Sequence, residues 1–149
     1  TATEAEVYRL EWSSRRIVNR WIPVKGLESI TDLIVGSDNL VYGLAPPNHL
    51  FVLNPDNGET IHQEELTGYG NTTGMQAPRT MALGPDGCIY ALFTEAIVQI
   101  DTGNFNHEEI GRPGEPITAG IVVQNGRIYF ASGAHLWSYI IQESGRDET

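Results

Sequence analysis

The chain has 149 residues, 19 acidic and 9 basic, for a formal net charge of −10, with 16 glycines, 8 prolines and one cysteine. A surface of that sign repels nucleic-acid backbones and anionic membranes, so neither is expected as a partner. No apolar run reaches the roughly 20 residues of a membrane-spanning helix, and a lone cysteine cannot close an intrachain disulfide.

The first element is a strand pair. Val7-Tyr8-Arg9-Leu10-Glu11-Trp12 is followed by the turn residues Ser13 to Arg16 and then by Ile17-Val18. This segment aligns with residues 50–61 and again with 98–105, so 6–22 reads as the closing strands of a longer unit. Arg9, Arg15, Arg16 and Arg20 form the one basic cluster in an acidic chain, expected as a solvated edge or a dock for an acidic partner.

A full unit follows over 30–66, with strands at 31–35, 40–44, 50–53 and 60–64. Asp38-Asn39 and Asn54-Pro55-Asp56-Asn57-Gly58 lie between strands, where they supply the positive backbone angles that tight hairpins need. The second of these turns looks superficially like the start of a calcium loop. Pro55 and the strand expected downstream favour a hairpin, and no metal site is predicted.

The connection over 66–78 is the longest, and long loops in compact domains often carry binding. It holds Tyr69, Met75 and the glycosylation sequon Asn71-Thr72-Thr73. A second unit spans 79–111, and Cys88 inside it is expected to act as a small buried hydrophobe. A third spans 117–142, where the polar tail leaves little apolar sequence for a fourth strand.

Three copies of one pattern organise these units: Ser37-Asp38-Asn39-Leu40-Val41-Tyr42, Pro85-Asp86-Gly87-Cys88-Ile89-Tyr90 and Gln124-Asn125-Gly126-Arg127-Ile128-Tyr129. A period of roughly 40 to 50 residues marks a unit that buries its faces only by stacking on copies of itself. The expected fold is all-β, with antiparallel four-stranded blades of a β-propeller numbering about three to three and a half, as one partial domain over 1–149. The strands should group as two, four, four and three. Closing a ring takes about four to eight blades. The remaining blades of a parent chain, or a second copy, are therefore the expected partners, because open sheet edges need cover. The chain begins at Thr1 rather than Met, which fits a processed chain or an excised domain and leaves the compartment open.

The segments Leu50-Phe51-Val52-Leu53-Asn54-Pro55-Asp56-Asn57-Gly58-Glu59 and Ile97-Val98-Gln99-Ile100-Asp101-Thr102-Gly103 resemble blades of the quinoprotein-like, NHL-like and YVTN-like propeller families. The resemblance covers most of 7–141. It implies a propeller but no single activity, since those families include dehydrogenases, lyases, lactonases and binding scaffolds.

Propeller geometry would bring the connections 23–29, 66–78 and 111–116 onto one face of the ring, together with 45–49, 94–96 and 132–135. His49 and His135 then share a face with Tyr69, Arg79 and Arg112, while His62 and His107 fall on outer strands and are expected to be solvated. Arg79 stands where the neighbouring repeats have Ile30 and Ile117, and Asp32 stands where they have Met81 and Ala119. Departures from a repeat's own rule are expected at functional sites, which makes Arg79, Asp32, Arg112 and Tyr69 candidates for binding a ligand. The histidines lack zinc-type spacing, no dinucleotide fingerprint follows a strand, and no cofactor is expected.

Two functions fit. The first is a binding or assembly module within a larger propeller. The second is a portion of a propeller lyase or hydrolase acting on an acidic saccharide. There Arg79 would neutralise the substrate carboxylate, His49 or His135 would move the proton, and Tyr69 would assist.

Overall fold

Short runs rich in β-branched and aromatic residues, each closed by an Asn, Asp or Gly turn, favour short antiparallel strands. In the computed structural model, which describes residues 3–73 and 79–142, strands are the only regular elements among the described residues. The first sheet pairs β1 (Val7–Glu11) with β2 (Arg16–Trp21). The second runs in order through β3 (Asp32–Val35), β4 (Val41–Ala45), β5 (His49–Leu53) and β6 (Thr60–Glu65). The third runs through β7 (Met81–Leu83), β8 (Ile89–Leu92), β9 (Ile97–Ile100) and β10 (His107–Gly111). The fourth holds β11 (Ala119–Gln124), β12 (Arg127–Ser132) and β13 (His135–Ile140). All neighbours are antiparallel, and the blade-like grouping into two, four, four and three strands is the one expected.

Two of the three repeated tyrosines, Tyr42 and Tyr90, follow a turn whose chemistry explains the motif. In the second sheet Asp38 closes the β3–β4 turn by accepting the Leu40 N–H at 3.1 Å, and its other oxygen takes the Tyr42 phenol at 2.7 Å. In the third sheet Asp86 likewise accepts from the Cys88 N–H at 3.1 Å and from the Tyr90 phenol at 2.6 Å. A Cβ on Gly36 would lie 2.7 Å from both Asp38 Oδ1 and the Tyr42 ring, and one on Gly84 would lie 2.4 Å from the Tyr90 ring. The working unit is therefore glycine, aspartate and tyrosine together. The third copy lacks it: Asn125 (φ 51°) and Gly126 (φ 69°) make a two-residue turn between the paired residues Gln124 and Arg127.

The sheets stack face on face. Phe51 and Leu53 on one face of the second sheet pack against Val7, Trp21 and Val24. Its opposite face, with Tyr42, Leu44, Leu50 and Val52, packs on Met81, Ile89, Ala91, Val98 and Ile100 of the third. The other face of the third, with Tyr90, Leu92 and Ile97, packs on Ile121, Ile128 and Phe130 of the fourth. Burying one such aliphatic or aromatic side chain contributes about 1.5–3 kcal/mol, so these apolar seams hold the array together. First strands approach first strands, β3 beside β7 and β7 beside β11.

Candidate functional site

At the joint of the first strands, Asp32 is held by backbone. One carboxylate oxygen accepts the N–H groups of Thr80 at 2.8 Å and Met81 at 2.9 Å, and the other takes the Leu33 N–H at 2.8 Å. Such charge-assisted bonds are the stronger kind, and they tie β3 to the start of β7. Arg79, one residue before this clamp, is exposed and forms no ion pair among the described residues. Arg112 is exposed, but its guanidinium is taken up by partners within the chain. It makes a bidentate pair with Glu109 at 3.1 and 2.7 Å, bonds Glu95 at 3.1 Å, and donates to the Gly68 carbonyl at 2.6 Å.

Neither of the two histidines expected to act with Tyr69 is hydrogen-bonded to it. His49 opens β5 half-buried, with its Nε2 buried and lacking a hydrogen-bond partner. His135 opens β13 exposed, with Nδ1 3.9 Å from the Glu115 carboxylate. Tyr69 instead bonds His107 Nδ1 at 2.9 Å.

Solvation was the expectation for His62 and His107, and the structure corrects it: both are mostly covered and joined in one network. His62 and Glu64 lie on the face of β6 turned to the third sheet, because His62 pairs with Val52 and Glu64 with Leu50, whereas Thr60, past the bulge, pairs with Leu53 and donates to the Pro23 carbonyl on the first-sheet side. His107, the first residue of β10, meets them from the third sheet. His62 Nε2 lies 3.0 Å from Glu64 Oε1, and His107 Nε2 lies 3.5 Å from Glu64 Oε2. Phe105, at φ 64° in the β9–β10 turn, stacks on the His62 ring at 5.0 Å between centroids. Tyr69 meets His107 edge to face at 5.6 Å.

Burial, and after it the charges of Glu109, Glu64 and Glu108, raise the Tyr69 phenol above its ordinary value, so it is a proton donor at neutral pH. Its hydroxyl shares a hydrogen bond with His107 Nδ1, and the Nε2 atoms of His62 and His107 both face the Glu64 carboxylate. One carboxylate thus lies between two imidazoles, one of which is held by a phenol. The network joins the outer strands of two sheets. Beside it an open cleft of about 220 Å³ is lined by Cys88, Gln99, Asp101, Asn104 and Asn106, with His107 in its wall. Burial raises the Cys88 thiol above its usual value, which leaves little thiolate for nucleophilic chemistry. Among the described residues, no three His, Cys, Asp or Glu side chains are grouped to hold a metal ion. The sequon residue Asn71 is exposed, while Met75 lies outside the described residues.

The remaining features lie at the two ends of the stack. In the second and third sheets, Tyr42, Leu44 and Leu50, and likewise Tyr90, Leu92 and Ile97, are 0 % exposed beneath the next sheet. The same three positions in the fourth sheet are Tyr129, Ala131 and Leu136, and their face is open, with Leu136 79 % exposed. Val122 and Ile140 widen that face, each 56 % exposed. At the other end, Tyr8 and Leu10 take the positions of Phe51 and Leu53, or of Val98 and Ile100. They are 51 % and 52 % exposed, with Ile17 opposite Leu10 and the Arg20 guanidinium 5.4 Å over the Tyr8 ring. The repeat pattern contains this signal, because equivalent positions stay apolar in every copy.

No family model matches the chain, and no curated protein matches it. Among solved structures it is similar to the extracellular domain of BT4673 from B. thetaiotaomicron. That protein is described in one structure as a candidate one component system, with a TM-score of 0.56 at 15 % identity. In another it is described as a candidate hybrid two component system, with a TM-score of 0.60 at 14 % identity. Each match covers 80 % of this chain and only 16 % of the other. The likeness is one of fold, and this chain spans about a sixth of the length of those domains.

Proposed function

We propose that the chain is an arc of a β-propeller that works as a binding and assembly module, with further blades covering its end faces. The observation that carries this is the open Tyr129, Ala131 and Leu136 face, which repeats position for position two faces that are sealed inside the same chain. Contiguous exposed apolar surface of this kind marks interaction sites. The approach of β3 to β7 and of β7 to β11 supports a radial arrangement in which first strands lie innermost. The extracellular domains with a similar fold are described as belonging to a one component or hybrid two component system, which is compatible with recognition as the task. Catalysis on an acidic saccharide would need His49 or His135 beside Tyr69, whose hydroxyl is committed to His107.

The test is a pair of substitutions on the open face, Leu136→Lys with Ile140→Lys, studied in dilute monomeric protein. The pair should remove most binding of an apolar fluorescent dye and leave Tm within about 2 °C, as surface substitutions do. A wild-type chain that binds no dye, or a Tm fall of the size seen for core changes, would mean that the face is already covered and would sink the reading.

A further inference from the structure

Two kinds of sheet face mate within this chain. One carries the repeated tyrosine and its neighbours, as in Tyr42, Leu44 and Leu50. The other carries the alternate residues of a third strand, as in Val98 and Ile100, which receive it. The seam between the third and fourth sheets joins a tyrosine face, Tyr90, Leu92 and Ile97, to the near face of the sheet that follows. Each end of the molecule leaves one kind bare. Among the described residues, the fourth sheet offers a tyrosine face with no receiving sheet, and the first offers a receiving face, Tyr8, Leu10 and Ile17, with no tyrosine sheet against it.

The two bare faces are therefore complementary by the rule that already builds the interior. Resting on the assembly reading above, we infer that the β11–β13 face takes the outer β1–β2 face of a second copy of this chain, head to tail. The joint continues an interface the chain makes with itself at the third-strand positions, Tyr8 and Leu10 standing for Val98 and Ile100, while the two-stranded first sheet has no counterpart of Met81, Ile89 and Ala91. A head-to-tail contact either closes or runs on as a fibre. Two copies bring eight sheets, within the roughly four to eight that close a propeller ring, so the contact closes as a pair with the joint made twice.

The experiment is sedimentation of the intact chain and of two variants, Leu136→Arg and Leu10→Arg. Both residues are exposed, so each variant should fold with a near wild-type Tm. The wild type should pair. Each variant alone should associate at least about tenfold more weakly, as loss of a central apolar anchor does. Mixed together, they should form a one-to-one complex, because Leu136→Arg keeps a sound first sheet and Leu10→Arg keeps a sound fourth sheet. Several outcomes would overturn the inference. If Leu10→Arg pairs as well as wild type, two fourth sheets are meeting each other. Open polymers would exclude the closed pair. A wild-type chain that stays monomeric but binds the dye on its fourth sheet leaves that face to a sheet of another origin, while one that neither pairs nor binds dye removes both readings.

Discussion

Tyr42 and Tyr90 are held as donors by aspartates that also close their turns. Burial first, and the aspartate hydrogen bond second, hold both phenols far above the ordinary tyrosine value. A phenol whose pKa is raised on folding contributes stability that is complete below the unfolded value of about 10 and is lost as pH climbs beyond it. Tm should fall from about pH 10 upward, and replacing both tyrosines by phenylalanine should flatten that alkaline limb. An unchanged limb would place its cause elsewhere. At Asp32 the expected cost of Asp32→Ala is about 2–3 kcal/mol by denaturant unfolding, because the Thr80 and Met81 N–H groups lose their acceptor. Asp32 was visible in the sequence as a residue that breaks its repeat. Its use was not visible, since its partners lie in the next sheet and no local pattern joins them.

At the scale of elements, the outer strands β6 and β10 are fastened by the Tyr69, His107, Glu64 and His62 network. A double-mutant cycle of Tyr69→Phe and His107→Ala should show a coupling of about 0.5–1.5 kcal/mol, and additivity would remove the hydrogen bond from the account. The histidines read as solvated in the sequence because they were placed only by strand number. Pairing His62 with Val52 turns the side chain inward, and that register depends on the bulge between Val52 and Leu53. The first sheet is attached differently. A Cβ on Gly58 (φ 77°) would lie 2.0 Å from Trp21 Nε1, so Gly58→Ala should push the indole off the second sheet and shift tryptophan emission to the red. Emission like that of the wild type would show that the indole tolerates the change.

Across the whole molecule, strand order and grouping were legible because each sheet is local: its strands are consecutive and joined by turns that the sequence spells out. The seams were less so. Their apolar residues are visible, but which face meets which is fixed by alternation combined with stacking, and the open faces appear only when all four sheets are placed. The candidate ligand residues were grouped by loop geometry and by departures from the repeat; the structure ties Asp32 to backbone of the next sheet and pairs Arg112 with Glu109 and Glu95, while Arg79, exposed like Arg112, forms no ion pair among the described residues.

One seam also bears on how the chain opens. Ser37 on the second sheet bonds Thr102 Oγ1 at 2.8 Å and the Gly87 carbonyl at 3.0 Å, and the Tyr42 hydroxyl lies 3.1 Å from the Thr102 carbonyl. The turn of one sheet is thereby completed by backbone of the next. The two middle sheets share these bonds as well as an apolar seam, so they should open as one cooperative unit while the end sheets fray separately. Native-state hydrogen exchange would show this as a common, slowest rate for the amides of β4, β5, β8 and β9, with β1, β2 and β13 exchanging earlier. The chain would then behave as a rigid centre with two adaptable ends, and those ends are where it has neighbours to meet.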